Sequence, residues 1–119
     1  MAKASWEIFH NPRCSKSRQT LQRLEDAGIT PTIVAYLESP PTKKRLKEVL
    51  ALLGLDDPRA LIRTGEPIYK ELRLADETSK EKLLDAMVAH PVLIERPIVI
   101  RDGKAAVIGR PPENVDRLL

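Results

Sequence analysis

The chemistry available to this chain centres on one thiol. Cys14 is the only cysteine among 119 residues, and it stands in the run His10-Asn11-Pro12-Arg13-Cys14-Ser15-Lys16-Ser17. The thiolate is the reactive form, and a free cysteine with a pKa of about 8.5 is mostly protonated at neutral pH. The neighbouring residue types act against that protonation. Arg13 and Lys16 are cations, His10 is a potential third, and the Ser17 hydroxyl is expected to donate a hydrogen bond to the sulfur. A lone cysteine often packs as a small buried hydrophobe. A basic, hydroxyl-rich flank is a poor setting for that, so the residues favour a reactive thiol.

Position narrows the reaction. A cysteine phosphatase loop carries an arginine where this chain has Thr20, and a dithiol oxidoreductase carries its second cysteine where this chain has Ser17. With no second thiol, a covalent intermediate on Cys14 must be resolved by a thiol from outside, such as glutathione or glutaredoxin. Metal binding is not expected, because Cys14, His10 and the distant His90 form no ligand cluster at a usual spacing.

These residues need a scaffold, and the elements can be read from the pattern. Trp6 to Phe9 alternates as a short strand that ends at His10-Asn11-Pro12. From Ser15 to Ala27 a helix is expected to turn Leu21, Leu24 and Ala27 inward, with Gly28 ending it. Cys14 then lies at the helix N-terminus, where free N–H groups and the positive end of the dipole stabilise an anion. The β-branched stretch Thr32 to Leu37 predicts a second strand. A strand, a helix and a strand in this space imply a right-handed parallel crossover.

Pro40-Pro41-Thr42 opens a helix carrying Leu46, Val49, Leu50 and Leu53 and closed by Gly54. Asp57-Pro58 starts a short helix to Ile62 or Arg63, and Glu66 to Leu72 reads as another. Thr78 and Glu81 form a capping-box pattern before Leu83, Leu84, Met87 and Val88, a helix that must stop near His90-Pro91. Ile98 to Ile100 and Ala105 to Ile108 flank Asp102-Gly103, a strong hairpin signal, and Pro111-Pro112 leads into a last helix over Glu113 to Leu119. The order predicts an α/β chain with a small mixed sheet, a parallel β-α-β unit followed by an antiparallel hairpin. That is the plan of a thioredoxin-like domain over residues 1–119, with a helical subdomain inserted at about 42–90.

Composition limits the partners. Hydrophobic residues at 42% and charged residues at 31% suit one ordinary globular domain. Aromatics at 3% leave few platforms for stacking bases, so nucleic acid is not an expected partner. The lysines and arginines are interleaved with acids, as in Lys80-Glu81-Lys82, and the basic stretch Lys43-Lys44-Arg45 with Lys47 reads as a solvated helix start. The net charge of +3 is compatible with a small anionic substrate. No apolar run approaches the roughly 18 residues that span a bilayer. The N-terminus reaches Glu7 before a signal-like core forms, so a cytoplasmic location is expected.

The active-site segment His10 to Arg18 resembles that of glutaredoxin-coupled arsenate reductases, in their short-chain branch. The likeness continues through Tyr36 to Pro41, Arg59 to Arg63, His90 to Val99 and Gly109 to Glu113, in order and over essentially the whole chain. The resemblance implies a thioredoxin-like fold in which Cys14 attacks arsenate, Arg63, Arg96 and Arg110 hold the oxyanion, and His10 and Ser17 lower the thiol pKa. It further implies glutathione as co-substrate, with no tightly bound cofactor, and glutaredoxin as the partner that clears the mixed disulfide. It also places a cis-proline at Arg96-Pro97 beside the cysteine. Guanidinium groups suit such an oxyanion because their rigid fork binds phosphate-like oxygens bidentately. Two alternatives stand beside this reading. One is a related glutathione-linked thiol oxidoreductase with another substrate. The other is a redox regulator of this fold that binds RNA polymerase, whose usual Cys-x-x-Cys sensor Ser17 interrupts.

Overall fold

The computed structural model describes residues 4–119. The chain up to Ser39 together with Arg96 onward forms one compact unit, and Pro40–Glu95 forms a second. The first holds β1 (Trp6–Phe9), α1 (Ser15–Asp26), β2 (Thr32–Val34), β3 (Ile98–Arg101) and β4 (Ala105–Ile108). The four strands lie in the order β2-β1-β3-β4. β1 runs parallel to β2, with Ile8 opposite Ile33, and antiparallel to β3, with Ile8 opposite Val99. β3 and β4 form an antiparallel hairpin. This is the expected thioredoxin-like mixed sheet.

The two central strands supply the buried apolar centre of the sheet, with Ile8 and Phe9 of β1 and Ile98, Val99 and Ile100 of β3 all sealed from solvent. Leu24 of α1 and Val115 and Leu118 of the C-terminal segment pack with Ile8 and Val99. Asp102 and Gly103 both take positive φ, 55° and 63°. The Lys104 N–H closes their turn on the Arg101 carbonyl at 3.0 Å, as an Asp-Gly hairpin requires. At the start of β1, the Arg101 guanidinium lies 5.2 Å from the centre of the Trp6 ring, a cation–π contact.

Four local expectations need correction. β2 stops at Val34 rather than Leu37. Past that point the Glu38 and Ser39 N–H groups turn back onto the Ala35 carbonyl, at 3.0 and 2.9 Å. The turn buries Tyr36 against Phe9, with ring centres 6.3 Å apart. An edge strand is free to leave the ladder early, and burying an aromatic ring favours doing so. The inward face of α1 is Ser17, Thr20 and Leu24, while Ala27 is exposed and Leu21 half-buried. α1 ends as predicted near Gly28, which takes φ 81°, while the Ile29 N–H reaches back to the Leu24 carbonyl at 2.9 Å. The last helix, Pro112–Leu118, is a 3₁₀ helix.

The fourth correction lies in the helical unit. It contains α2 (Lys43–Leu53), α3 (Pro67–Glu71) and α4 (Lys80–Ala89), with 3₁₀ turns at Pro58–Leu61, Leu74–Asp76 and Pro91–Leu93. Thr42 caps α2 by accepting the Arg45 N–H at 3.1 Å, and Gly54 closes it in a left-handed conformation. The cap of α4 is Ser79, not Thr78, and Ser79 accepts the Lys82 N–H. Glu81 is therefore one residue out of place for a capping box, and its carboxylate pairs with Lys43 and Lys47 instead. Leu46, Val49 and Leu50 of α2 and Leu83, Leu84 and Met87 of α4 are buried. Arg59 ties this unit together by donating to the Tyr69 hydroxyl and to the carbonyls of Leu74 and Glu77. Among the described residues no helix is long and apolar enough to cross a membrane.

Candidate active site

The loop between β1 and α1 is organised by its own backbone. The His10 N–H still bonds the Val34 carbonyl at 3.1 Å, and the Cys14 N–H then bonds the Asn11 carbonyl at 3.0 Å. The Asn11 side chain accepts the Arg13 N–H at 3.0 Å, which closes the turn. Cys14 is thereby set as the N-cap of α1, with extended φ and ψ of −94° and 122°. Its thiol is free and half-buried.

Burial is the largest single influence on this thiol and by itself raises the pKa. It is outweighed by the Ser17 N–H, by the Arg96 guanidinium as donor and as charge, and by the Lys16 N–H, so the thiol lies below its ordinary value. The sulfur makes no fully formed capping bond to the first turn. The two N–H groups act instead through the anion-stabilising end of the helix. Arg110 adds a fourth partner, with Nη1 at 3.8 Å from Sγ.

The Ser17 hydroxyl does not serve the sulfur. It is fully buried and sits 2.6 Å from His10 Nδ1, while accepting the Asn11 N–H at 3.0 Å. A hydroxyl has one hydrogen and two lone pairs, so the direction of its bond with Nδ1 follows the tautomer of the imidazole. Burial, and then the positive charge of Arg18, lower the His10 pKa. The imidazole is therefore neutral at neutral pH rather than a third cation. These are corrections to the simplest sequence reading: Ser17 reaches the thiol through its N–H, and His10 fastens the loop to α1 through Ser17. A hydroxyl sealed between two polar neighbours is worth more there than facing solvent-accessible sulfur.

Arg96 and Arg110 each precede a cis-proline, Pro97 and Pro111. The first cis bond matches the expectation, and the second had no sequence signal beyond the proline itself. Asn114 holds the Arg110 segment by donating to the carbonyls of Ile108 and Arg110, both at 3.1 Å. The sheet unit thus brings together Cys14, His10, Ser17, Arg96 and Arg110. Arg63 belongs to the helical unit, after an isolated bridge between Ile62 and Ile94. There its Nε lies 3.1 Å from Glu66 and its Nη1 3.5 Å from Glu95. The sequence reading missed these two carboxylates, along with Asn11, Arg18 and Asn114. Among the described residues no cluster of acidic, histidine or cysteine side chains could hold a metal.

Comparison with known proteins supports the fold. A Neisseria meningitidis protein named arsenate reductase is 48% identical over 114 residues, which covers 95% of this chain and 97% of that one. An Escherichia coli protein, the uncharacterized YfgD, is 53% identical over 110 residues, or 92% of each chain. The solved structure of arsenate reductase from Vibrio cholerae superimposes with a TM-score of 0.94 at 49% identity, covering 99% of this chain and 100% of that one. The ArsC family pattern matches residues 9–118, so this chain, with its lone thiol between β1 and α1, belongs to the ArsC family.

Proposed function

We propose that this protein reduces arsenate to arsenite, with Cys14 as nucleophile and with glutathione and glutaredoxin supplying the outside thiols. One observation carries the reading: the chain's single thiol has a lowered pKa at a helix N-terminus and meets the guanidinium groups of both Arg96 and Arg110. The family membership and the relatives named arsenate reductase support the choice of oxyanion.

In this cycle the Cys14 thiolate attacks arsenic, an oxygen leaves as water after protonation, and a sulfur–arsenic bond forms with arsenic still pentavalent. Arg96, Arg110 and Arg63 are assigned to the oxyanion, whose charge redistributes as the water departs. Glutathione adds as a second sulfur and displaces a second water. The two sulfurs then join, the electrons of their bonds to arsenic pass to the metalloid, and the trivalent oxide leaves and takes up one water to become arsenite. Cys14 is left in a mixed disulfide with glutathione. A glutaredoxin thiolate attacks the glutathione sulfur and returns Cys14 to its thiolate. The cycle needs no metal or resident cofactor, and it suits the cytoplasm, where thiols are kept reduced.

The test is NADPH consumption coupled to arsenate, glutathione, glutaredoxin and glutathione reductase, with Cys14→Ser in parallel. Turnover that requires both Cys14 and glutaredoxin is the expected result. Turnover retained by a folded Cys14→Ser protein sinks the mechanism. A thiol pKa below its ordinary value, without arsenate-dependent turnover, discards the substrate.

A further inference from the structure

Thr20 is fully buried in the middle of α1, on the same inward face as Ser17. A mid-helix threonine can satisfy itself by bonding the carbonyl four residues back, and Thr20 Oγ1 does so, at 2.8 Å from the Lys16 carbonyl. It does more than that. The same oxygen lies 3.3 Å from the carbonyl of Gly109, a residue 89 positions away. The hydrogen is shared between a short bond and a longer one, a common three-centre arrangement.

Gly109 has no room to spare. A Cβ at that position would lie 2.6 Å from Thr20 Oγ1, 2.8 Å from Pro97 Cγ and 2.9 Å from Thr20 Cγ2. The Gly109 N–H bonds the Pro97 carbonyl at 2.9 Å. Three segments therefore meet at one point: α1 at Thr20, the β3 entry at Pro97 and the β4 exit at Gly109. Each of the latter two is one residue from an arginine that faces the thiol. Arg96 precedes Pro97, and Arg110 follows Gly109.

We infer that Thr20 is a positioning residue, whose hydroxyl, packed against Gly109, registers the segments bearing Arg96 and Arg110 on the helix that Cys14 caps. The inference rests on the reading above, in which those arginines serve the thiol. The Gly109 carbonyl belongs to the peptide that begins Arg110, so fixing it fixes where that side chain starts. The tolerance is narrow: Arg110 Nη1 already stands at 3.8 Å from Sγ, and groups of this kind work only when held to within about 0.5 Å.

The experiment is the pH profile of Cys14 alkylation by iodoacetamide, run without arsenate on the wild type, Thr20→Val, Thr20→Ser and Arg96→Ala. Valine keeps the shape, removes the donor and presses a larger methyl on Gly109. The Thr20→Val profile should move to higher pH, and alkylation on its acid limb should fall roughly threefold, the loss of thiolate for a rise of about half a pKa unit. Thr20→Ser, which keeps the hydroxyl, should restore the wild-type profile. An unmoved Thr20→Val profile overturns the positioning role even if the melting temperature drops, and so does a Thr20→Ser profile that shifts equally. Should Thr20→Val not fold, Thr20→Ala removes the same hydroxyl without crowding and is decided by the same criterion. If Arg96→Ala leaves the profile unmoved, the reading of the arginines falls and the positioning role with it. If Arg96→Ala moves it and Thr20→Val does not, only the positioning role falls.

Discussion

The two units differ in the polar side chains they bury. In the sheet unit the buried polar residues are His10, Ser17 and Thr20, which all lie close to Cys14 along the chain. In the helical unit the buried residues among those described are apolar, as in Leu46, Leu61, Leu83, Met87 and Leu93. Buried polar groups stabilise little once their own desolvation is counted, whereas each fully buried aliphatic side chain contributes about 1.5–3 kcal/mol. The arginines repeat the contrast. Arg59 is held by a hydroxyl and two carbonyls within the helical unit, while Arg110 reaches the Cys14 sulfur. Both units have apolar cores, but among the buried residues the polar ones fall in the unit that carries Cys14.

The largest effect expected from that difference is on stability. Leu46→Ala, at a fully buried position of α2, should cost about 2–5 kcal/mol in denaturant unfolding and leave the Cys14 alkylation profile unchanged. A shifted profile would break the separation of roles. Arg96→Lys should act the other way, lowering kcat/KM for arsenate on the order of a hundredfold, because the charge stays but the fork is lost. Its unfolding midpoint should barely move. Ser17→Ala sharpens the contrast within the sheet unit. It strips the partner from His10 Nδ1 and the Asn11 N–H, a cost of about 1–3 kcal/mol. Because the Ser17 N–H remains, the alkylation profile should move less than in Arg96→Lys. An equal shift would return the hydroxyl to the sulfur.

The smallest effect is a pH dependence of stability. The folded Cys14 thiol lies below its ordinary value, so between the folded pKa and the unfolded one the unfolded chain holds more protons. Stability then rises with pH across that window, is fully present above the unfolded value and is lost as pH falls through the folded value. Wild type minus Cys14→Ser, measured by denaturant titration at several pH values, should therefore grow toward alkaline pH. A difference that shrinks would reverse the sign of the thiol's shift.

Much of this arrangement is legible from residue types. The apolar strands, the Gly28 and Gly54 helix ends, the Asp102-Gly103 turn and the placement of Cys14 before α1 all follow from local chemistry that tertiary packing does not override. The failures share a cause. A search for apolar stripes picks Leu21, Leu24 and Ala27 on α1, yet the same helical spacing also links Ser17, Thr20 and Leu24. Hydrophobicity alone cannot choose the face on which buried hydroxyls have partners. Those partners, such as Gly109 for Thr20, come from far along the chain. Thr78 and Ser79 are both capping residues by type, and it is Ser79 that accepts the Lys82 N–H while its own N–H bonds the Glu77 carboxylate. Of the two carboxylates beside Arg63, Glu66 lies only three residues on, but Glu95 carries no local signature, since it comes from across the bridge of Ile62 with Ile94.

The contact between Trp6 and Arg101 has a practical consequence. Trp6 is the only tryptophan in the chain, and it sits in the sheet unit with a guanidinium over its ring. Its fluorescence is therefore a built-in reporter of that unit alone, while far-ultraviolet circular dichroism sums the helices of both. Recording the two signals through one melt needs no label. Coincident curves would make the units a single cooperative block. Separated curves would mean that the scaffold of the thiol can be watched loosening on its own.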